Sequence, residues 1–232
     1  MLVWTKYPNS KNILLMEKMR MRKFDNIYWI GGSPCSGKSS IAELLIKEFG
    51  FEYYKCDDFL DDYIKRGSEK NIQIMNKFLK MDLDETWLRE VESQVEDEFE
   101  FYINAFEFIK EDLSKITTEK PVIVEGAAIL PELILLNKID SNNYICIVPT
   151  KEFQREKYSQ RMWVKDYLSG CTDPEKAFNN WMDRDINFAL KVKNEAITNG
   201  FEVIVVDGSK SIEENYEHVK KHFKLLCNDG KN

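Results

Sequence analysis

Residues 30–45 read IGGSPCSGKSSIAELL, and the order of residue types in this stretch decides the fold. Upstream, Ile27-Tyr28-Trp29-Ile30 is a short β-prone run that stops at Gly31-Gly32 and reads as a buried strand. Downstream, Ile41, Leu44, Leu45 and Phe49 recur at i, i+3, i+4 and i+8, and Gly50 stands where a helix ends. The local order is strand, glycine-rich turn, helix.

The turn Gly32-Ser33-Pro34-Cys35-Ser36-Gly37-Lys38-Ser39 satisfies G-x-x-x-x-G-K-[ST] at every fixed position, in the strand-to-helix setting the pattern requires. Glycines let successive backbone N–H groups turn inward as an anion nest, and a helix N-terminus adds partial positive charge. Lys38 then reaches the β and γ phosphates, the Ser39 hydroxyl holds Mg²⁺, and Ser40 adds a contact to the α phosphate. The turn is therefore expected to hold a nucleoside triphosphate with magnesium.

Further along, Phe51–Cys56, Pro121–Val124, Tyr144–Val148 and Phe201–Val206 are apolar runs closed by polar or turn residues. Helical patterns separate them, one of them over Lys151–Leu168. Another is opened by Asp173-Pro174, and a third by the capping box Ser211-x-x-Glu214. Strands alternating with helices imply parallel pairing with right-handed crossovers, hence an α/β fold: a three-layer, doubly wound parallel sheet of about five strands. From Leu83 to Leu113 apolar residues step by three or four, predicting one long helix or two in line. Glu90, Glu92, Glu96, Asp97, Glu98 and Glu100 between them read as its solvated face.

At 232 residues, with 43% apolar and 31% charged residues, the chain suits one domain, expected over 26–227 behind an N-terminal extension, 1–25. No run approaches the roughly 18 apolar residues of a membrane span, and the first 25 residues lack the apolar core of a signal peptide. A net charge of −7 argues against a nucleic-acid partner. The five cysteines are odd in number, widely spaced and contain no C-x-x-C pair, which suits reduced thiols and a cytoplasmic location.

The strand, phosphate loop and helix resemble the P-loop kinase fold, the group that includes adenylate, gluconate and shikimate kinases and chloramphenicol phosphotransferase. In architecture the likeness runs from about Ile27 to Leu226, but at the level of motifs only the phosphate loop matches. The resemblance implies an aspartate after the second strand that orients a hydroxyl acceptor and takes its proton, and Asp57 and Asp58 stand there. Glu125, ending the third strand, stands where an acid would coordinate magnesium. A lid is expected over about 150–190. On its helix Lys157, Arg161 and Lys165 fall at i, i+4 and i+8, and Arg155, Arg161 and Arg184 are the candidate lid arginines. Asp207-Gly208-Ser209 would touch the nucleotide base. The acceptor pocket would be walled by the long acidic helix and residues 63–80.

This reading is a phosphotransferase moving the γ-phosphate of ATP to a small-molecule hydroxyl. A nucleoside monophosphate kinase would need arginine near the second strand, where Arg66 is the only candidate. A GTP switch is suggested by Asn137-Lys138-Ile139-Asp140, which spells the guanine-reading N-K-x-D. No D-x-x-G lies between Ser39 and Asn137, so the tetrapeptide reads as a polar helix end and turn. A protein that holds ATP without transferring phosphate is the third alternative. His218 and His222 share a helix face without a third ligand and read as surface residues.

Overall fold

The computed structural model describes residues 26–225. The expected extension 1–25, the last two residues of the expected domain and Cys227 lie outside these. The elements are β1 (Ile27–Gly32), α1 (Lys38–Phe49), β2 (Glu52–Lys55), a 3₁₀ turn (Cys56–Phe59), α2 (Leu60–Glu69), α3 (Gln73–Lys80), α4 (Leu83–Trp87) and α5 (Val91–Leu113). Then follow β3 (Val122–Glu125), α6 (Pro131–Leu136), β4 (Tyr144–Pro149), α7 (Lys151–Ser159), α8 (Met162–Leu168), α9 (Pro174–Thr198), β5 (Glu202–Val206) and α10 (Ile212–His222).

The five strands form one parallel sheet in the order β2-β3-β1-β4-β5. Side chains alternate across each strand, so each run of buried residues feeds two cores. On one face Trp29, Val122, Val124, Tyr144, Cys146 and Val148 pack under α5 and α9 through Phe101, Phe106, Phe188 and Val192. On the other, Ile30, Ile123, Ile145, Ile147 and Ile204 meet Ile41 and Leu45 of α1 and Tyr216 and Val219 of α10. Helices on both faces make the three-layer α/β sandwich. The chain crosses from one side of β1 to the other between β3 and β4, and a crevice opens at the carboxyl ends of the strands there.

Of the long helical patterns, one takes the two-helix form that its periodicity allowed, and another is broken where one helix was expected. The 83–113 pattern is α4 and α5 in line, interrupted at 88–90. Carbonyls freed by the break are taken up by side chains: Gln94 Nε2 donates to the oxygens of Trp87 and Arg89 at 3.3 and 3.0 Å, and Asn180 Nδ2 to the same pair at 2.8 and 3.3 Å. The 151–168 pattern splits into α7 and α8, because Arg161 adopts an extended backbone (φ −87°, ψ 105°). The i, i+4, i+8 face of Lys157, Arg161 and Lys165 is thus not formed. Around the break a third cluster gathers Trp87, Tyr158, Val164, Leu168, Trp181 and Met182, joining α4 to α7–α9. No helix among the described residues is long and apolar enough to cross a membrane.

Gly32 ends β1 at φ 122°, and a Cβ there would stand 1.9 Å from the Ile147 carbonyl oxygen of β4. Neither feature can relax without parting two central strands. Gly32→Ala is expected to destabilise the fold by about 2–4 kcal/mol, read as a lower urea midpoint at unchanged slope.

Candidate active site

The phosphate loop leaves β1 at Gly32, turns through Cys35 (φ 63°) and enters α1 with Gly37 as a left-handed N-cap. No side chain caps α1, and the amides of residues 37–40 make no hydrogen bond among the described residues. Ser33 and Ser36 hydroxyls are buried there without a partner. Unpaired donors converging at a helix N-terminus suit an anion with several oxygens. The buried Lys38 ammonium lies over this turn, donating to Ser33 O at 2.7 Å.

Glu125, 1% exposed at the tip of β3, faces the loop from the adjacent strand. Ser39 Oγ donates to its Oε2 at 3.1 Å, Tyr53 OH donates to the same oxygen at 2.9 Å, and Lys38 Nζ is 3.9 Å from Oε1. Burial raises the Glu125 carboxyl above its ordinary range, Lys38 opposes this, and Asp57 adds to it. Gly126 lets the end of β2 come close: a Cβ there would meet Cys56 Cβ at 2.6 Å and Asp57 Oδ1 at 3.6 Å. No group of three or more His, Cys, Asp or Glu able to hold a metal occurs among the described residues. One hydroxyl and one carboxylate beside a phosphate cradle nevertheless fit magnesium, which takes few protein ligands and completes its shell with water and phosphate.

These groups line a cleft of about 600 Å³. Of the two aspartates, Asp57 lines it, and its carboxylate has no hydrogen-bond or ion-pair partner among the described residues. Asp58 does not line the cleft; it is 66% exposed and lies 4.0 Å from Lys55. The lid arginines also divide. Arg155 is away from the cleft, paired with Asp183 and Asn179 of α9. Arg161 lines it, because the break between α7 and α8 turns its guanidinium over the Tyr158 ring (4.7 Å to the centroid) and to 3.6 Å from Cys35 Sγ. Arg184 also lines it.

Sequence reasoning missed what holds Arg184. Its Nη2 and Nε donate to Asp185 Oδ1 at 2.6 and 2.9 Å, its Nε is 3.3 Å from Glu98 Oε2, and its guanidinium stacks 4.8 Å over Trp87. Glu98, expected on a solvated face, is 6% exposed and lines the cleft with Tyr102, whose hydroxyl donates to Glu98 Oε1 at 3.1 Å. Burial pushes the Glu98 carboxyl up to about 7 against the pull of Arg184. A usable signal existed: Glu98 and Tyr102 stand at i and i+4, within the apolar stripe of Val91, Val95, Phe99 and Phe106. Residues 63–80 were expected to wall the pocket and do not, whereas Leu60 does.

A second cleft of about 380 Å³ lies across the loop, between Gly37, Phe153, Lys157, Arg161, Lys210 and Ile212. It adjoins the Asp207–Ser209 turn after β5. Asn137–Asp140, by contrast, precedes β4 and so stands at the amino ends of the strands, across the sheet from the phosphate loop. There Asn137 Nδ2 donates to Leu133 O, and the Asp140 side chain accepts from the Asn142 amide. His218 and His222 are engaged with Glu202 and the Tyr144 carbonyl.

No family model and no curated protein matches this chain. Among solved structures it is similar to a gluconokinase from Sinorhizobium meliloti, at 14% identity over 85% of this chain and 90% of that one, TM-score 0.42. It is also similar to a shikimate kinase from Aquifex aeolicus, at 19% identity over 85% and 96%, TM-score 0.36. An uncharacterised protein from Eubacterium ventriosum is similar at 16% identity over 86% and 99%, TM-score 0.42.

Proposed function

We propose that this chain is an ATP- and magnesium-dependent phosphotransferase whose acceptor is the hydroxyl group of a small molecule. The observation that carries the reading is the convergence of Lys38, Ser39, Glu125, Asp57, Arg161 and Arg184 on one cleft at the phosphate loop. The second cleft, beside the turn after β5, offers room for the nucleotide base.

In this reading the loop amides and Lys38 hold the triphosphate, and Ser39 and Glu125 hold the metal. Magnesium, when bound, neutralises charge on the phosphate oxygens. Asp57 orients the acceptor and takes its hydroxyl proton as that oxygen bonds to the γ-phosphorus. The bond from phosphorus to the β,γ-bridging oxygen breaks with its electron pair, and ADP leaves. Arg161, hinged between α7 and α8, supplies positive charge to the transferring group on lid closure. Arg161→Ala is expected to lower kcat about 10²-fold, whereas Arg155→Ala stays within about twofold, measured as initial rates of ADP release.

The monophosphate-kinase alternative loses its cation: Arg66 is engaged by Asp62, Glu111 and Asp112 at 3.1, 2.8 and 2.7 Å and does not line the cleft. The test is titration of the full chain with Mg-ATP and Mg-GTP, followed by ADP release against sugars, nucleosides, nucleotides and amino alcohols. Neither heat nor thermal shift with either nucleotide overturns the proposal, and strong GTP selectivity turns it toward a switch.

A further inference from the structure

The cleft is electrically lopsided. Lys38 and Arg161 lie at the phosphate-loop end, bonded to Ser33 and Cys35 of the loop itself. Away from the loop, Asp57 and Glu98 line the cleft with a single cation, Arg184, which is already committed to Glu98 and to Asp185, a buried carboxylate that does not itself line the cleft. Once a triphosphate has drawn on the loop-side charges, the remaining wall is an excess of carboxylate in a partly shielded space, where charge interactions are stronger than in water.

Two further observations describe the occupant. Trp181, 7% exposed, lines the cleft with an indole N–H that has no partner, and Glu98 Oε2 is held by the ion pair with Arg184 at 3.3 Å and by no other group. Trp181 and Glu98 thus carry hydrogen-bonding capacity that the chain itself leaves unused. The cleft is also lined by the aromatic rings of Trp163, Trp181 and Tyr102, a residue type whose faces attract cations and cover the apolar side of a polyol ring.

Resting on the phosphotransfer reading and deepening it, we infer that the acceptor is a hydroxyl compound carrying a positively charged amine, with its hydroxyl at Asp57 and its ammonium between Glu98 and the aromatic wall. Acceptors bearing phosphate or carboxylate are disfavoured by the same carboxylates that favour the amine.

The groups around Glu98 are Arg184 and Asp185 from α9, Tyr102 from its own helix and Asp57 from the turn after β2. With the Glu98 carboxyl pushed up to about 7, it is neutral below that pH and anionic above it, so affinity for a cation rises with pH while the amine stays charged.

The test uses matched triplets: serinol, glycerol and glycerate, and streptamine, inositol and glucuronate. Affinities are taken from thermal shift of the full chain in Mg-ADP, and rates from ADP release with Mg-ATP. The amine member is expected to bind about tenfold more tightly than its neutral parent, and the carboxylated member more weakly than either. Affinity for the amine rises from about pH 6 to about pH 8 in the wild type, and Glu98→Gln flattens that rise and brings the amine-to-parent ratio toward one. The inference is overturned if no amine binds, if neutral or carboxylated members bind as well, or if preference and pH slope survive unchanged in a folded Glu98→Gln protein. The two readings fail separately. Selective amine binding without ADP release sinks phosphotransfer alone, and ADP release with only neutral or anionic acceptors sinks the amine inference alone.

Discussion

Lys38→Ala is expected to lower kcat/KM about a thousandfold and to weaken Mg-ATP binding, with the fold retained. The ammonium is pinned against the loop by Ser33 O and is shielded from solvent, so it meets developing phosphate charge without having to reorganise. A thousandfold corresponds to about 4 kcal/mol of transition-state stabilisation, a reasonable share for one preorganised cation in a shielded site. The loss also deprives Glu125 of its nearest positive charge. Its carboxyl, already raised by burial, then takes up a proton rather than remaining a lone buried anion, and the protein melts at a somewhat lower temperature without unfolding. Calorimetric titration with Mg-ATP, initial-rate kinetics and a melting curve measure the three effects. A variant whose kcat/KM stays within tenfold of the wild type contradicts the role given to Lys38.

Asp57→Asn is expected to lower kcat about 10³-fold, and Asp58→Asn to leave it within about twofold. The two residues are neighbours with the same chemistry, so position alone separates them. Asp57 lies on the cleft wall beside Gly126 with an unshared carboxylate, while Asp58 turns to solvent and Lys55. Asparagine keeps the shape and a hydrogen bond to the acceptor but cannot take its proton, so the loss falls on kcat and leaves the KM for ATP nearly unchanged. Rates with the best acceptor across both variants decide it. Equal losses, or none in either, rule out proton transfer at Asp57.

The sheet and the phosphate loop were legible because their signals are local: a strand is a short apolar run, and the loop a fixed spacing around backbone geometry only glycine adopts freely. The rest of the site was less so. The break at Arg161 escaped periodicity because the helical pattern continues across it; what permits the 88–90 interruption, which the 83–113 pattern left open, is Gln94 and Asn180 donating to two carbonyls, the second from more than ninety residues away. Arg155 was favoured by its place on a basic helix, yet Asp183 of α9 occupies it. Glu98 was counted as solvated because its neighbours Glu96 and Glu100 are, although its own position points inward at the helical period. Partners drawn from α5 and α9 decide the character of that wall, and no short window of sequence contains both.

The aromatic cluster between α4 and α7–α9 has a practical consequence. Of the five tryptophans, Trp87, Trp163 and Trp181 gather there, with Trp87 and Trp181 stacked 4.4 Å apart and Trp163 5.9 Å from Trp181. Trp29 is sealed in the sheet core, and Trp4 lies outside the described residues. Ultraviolet-excited emission of the unlabelled chain therefore samples the neighbourhood of Arg184 and the hinge at Arg161 more than any other region, and stopped-flow mixing can time the arrival of donor and acceptor without attaching a dye.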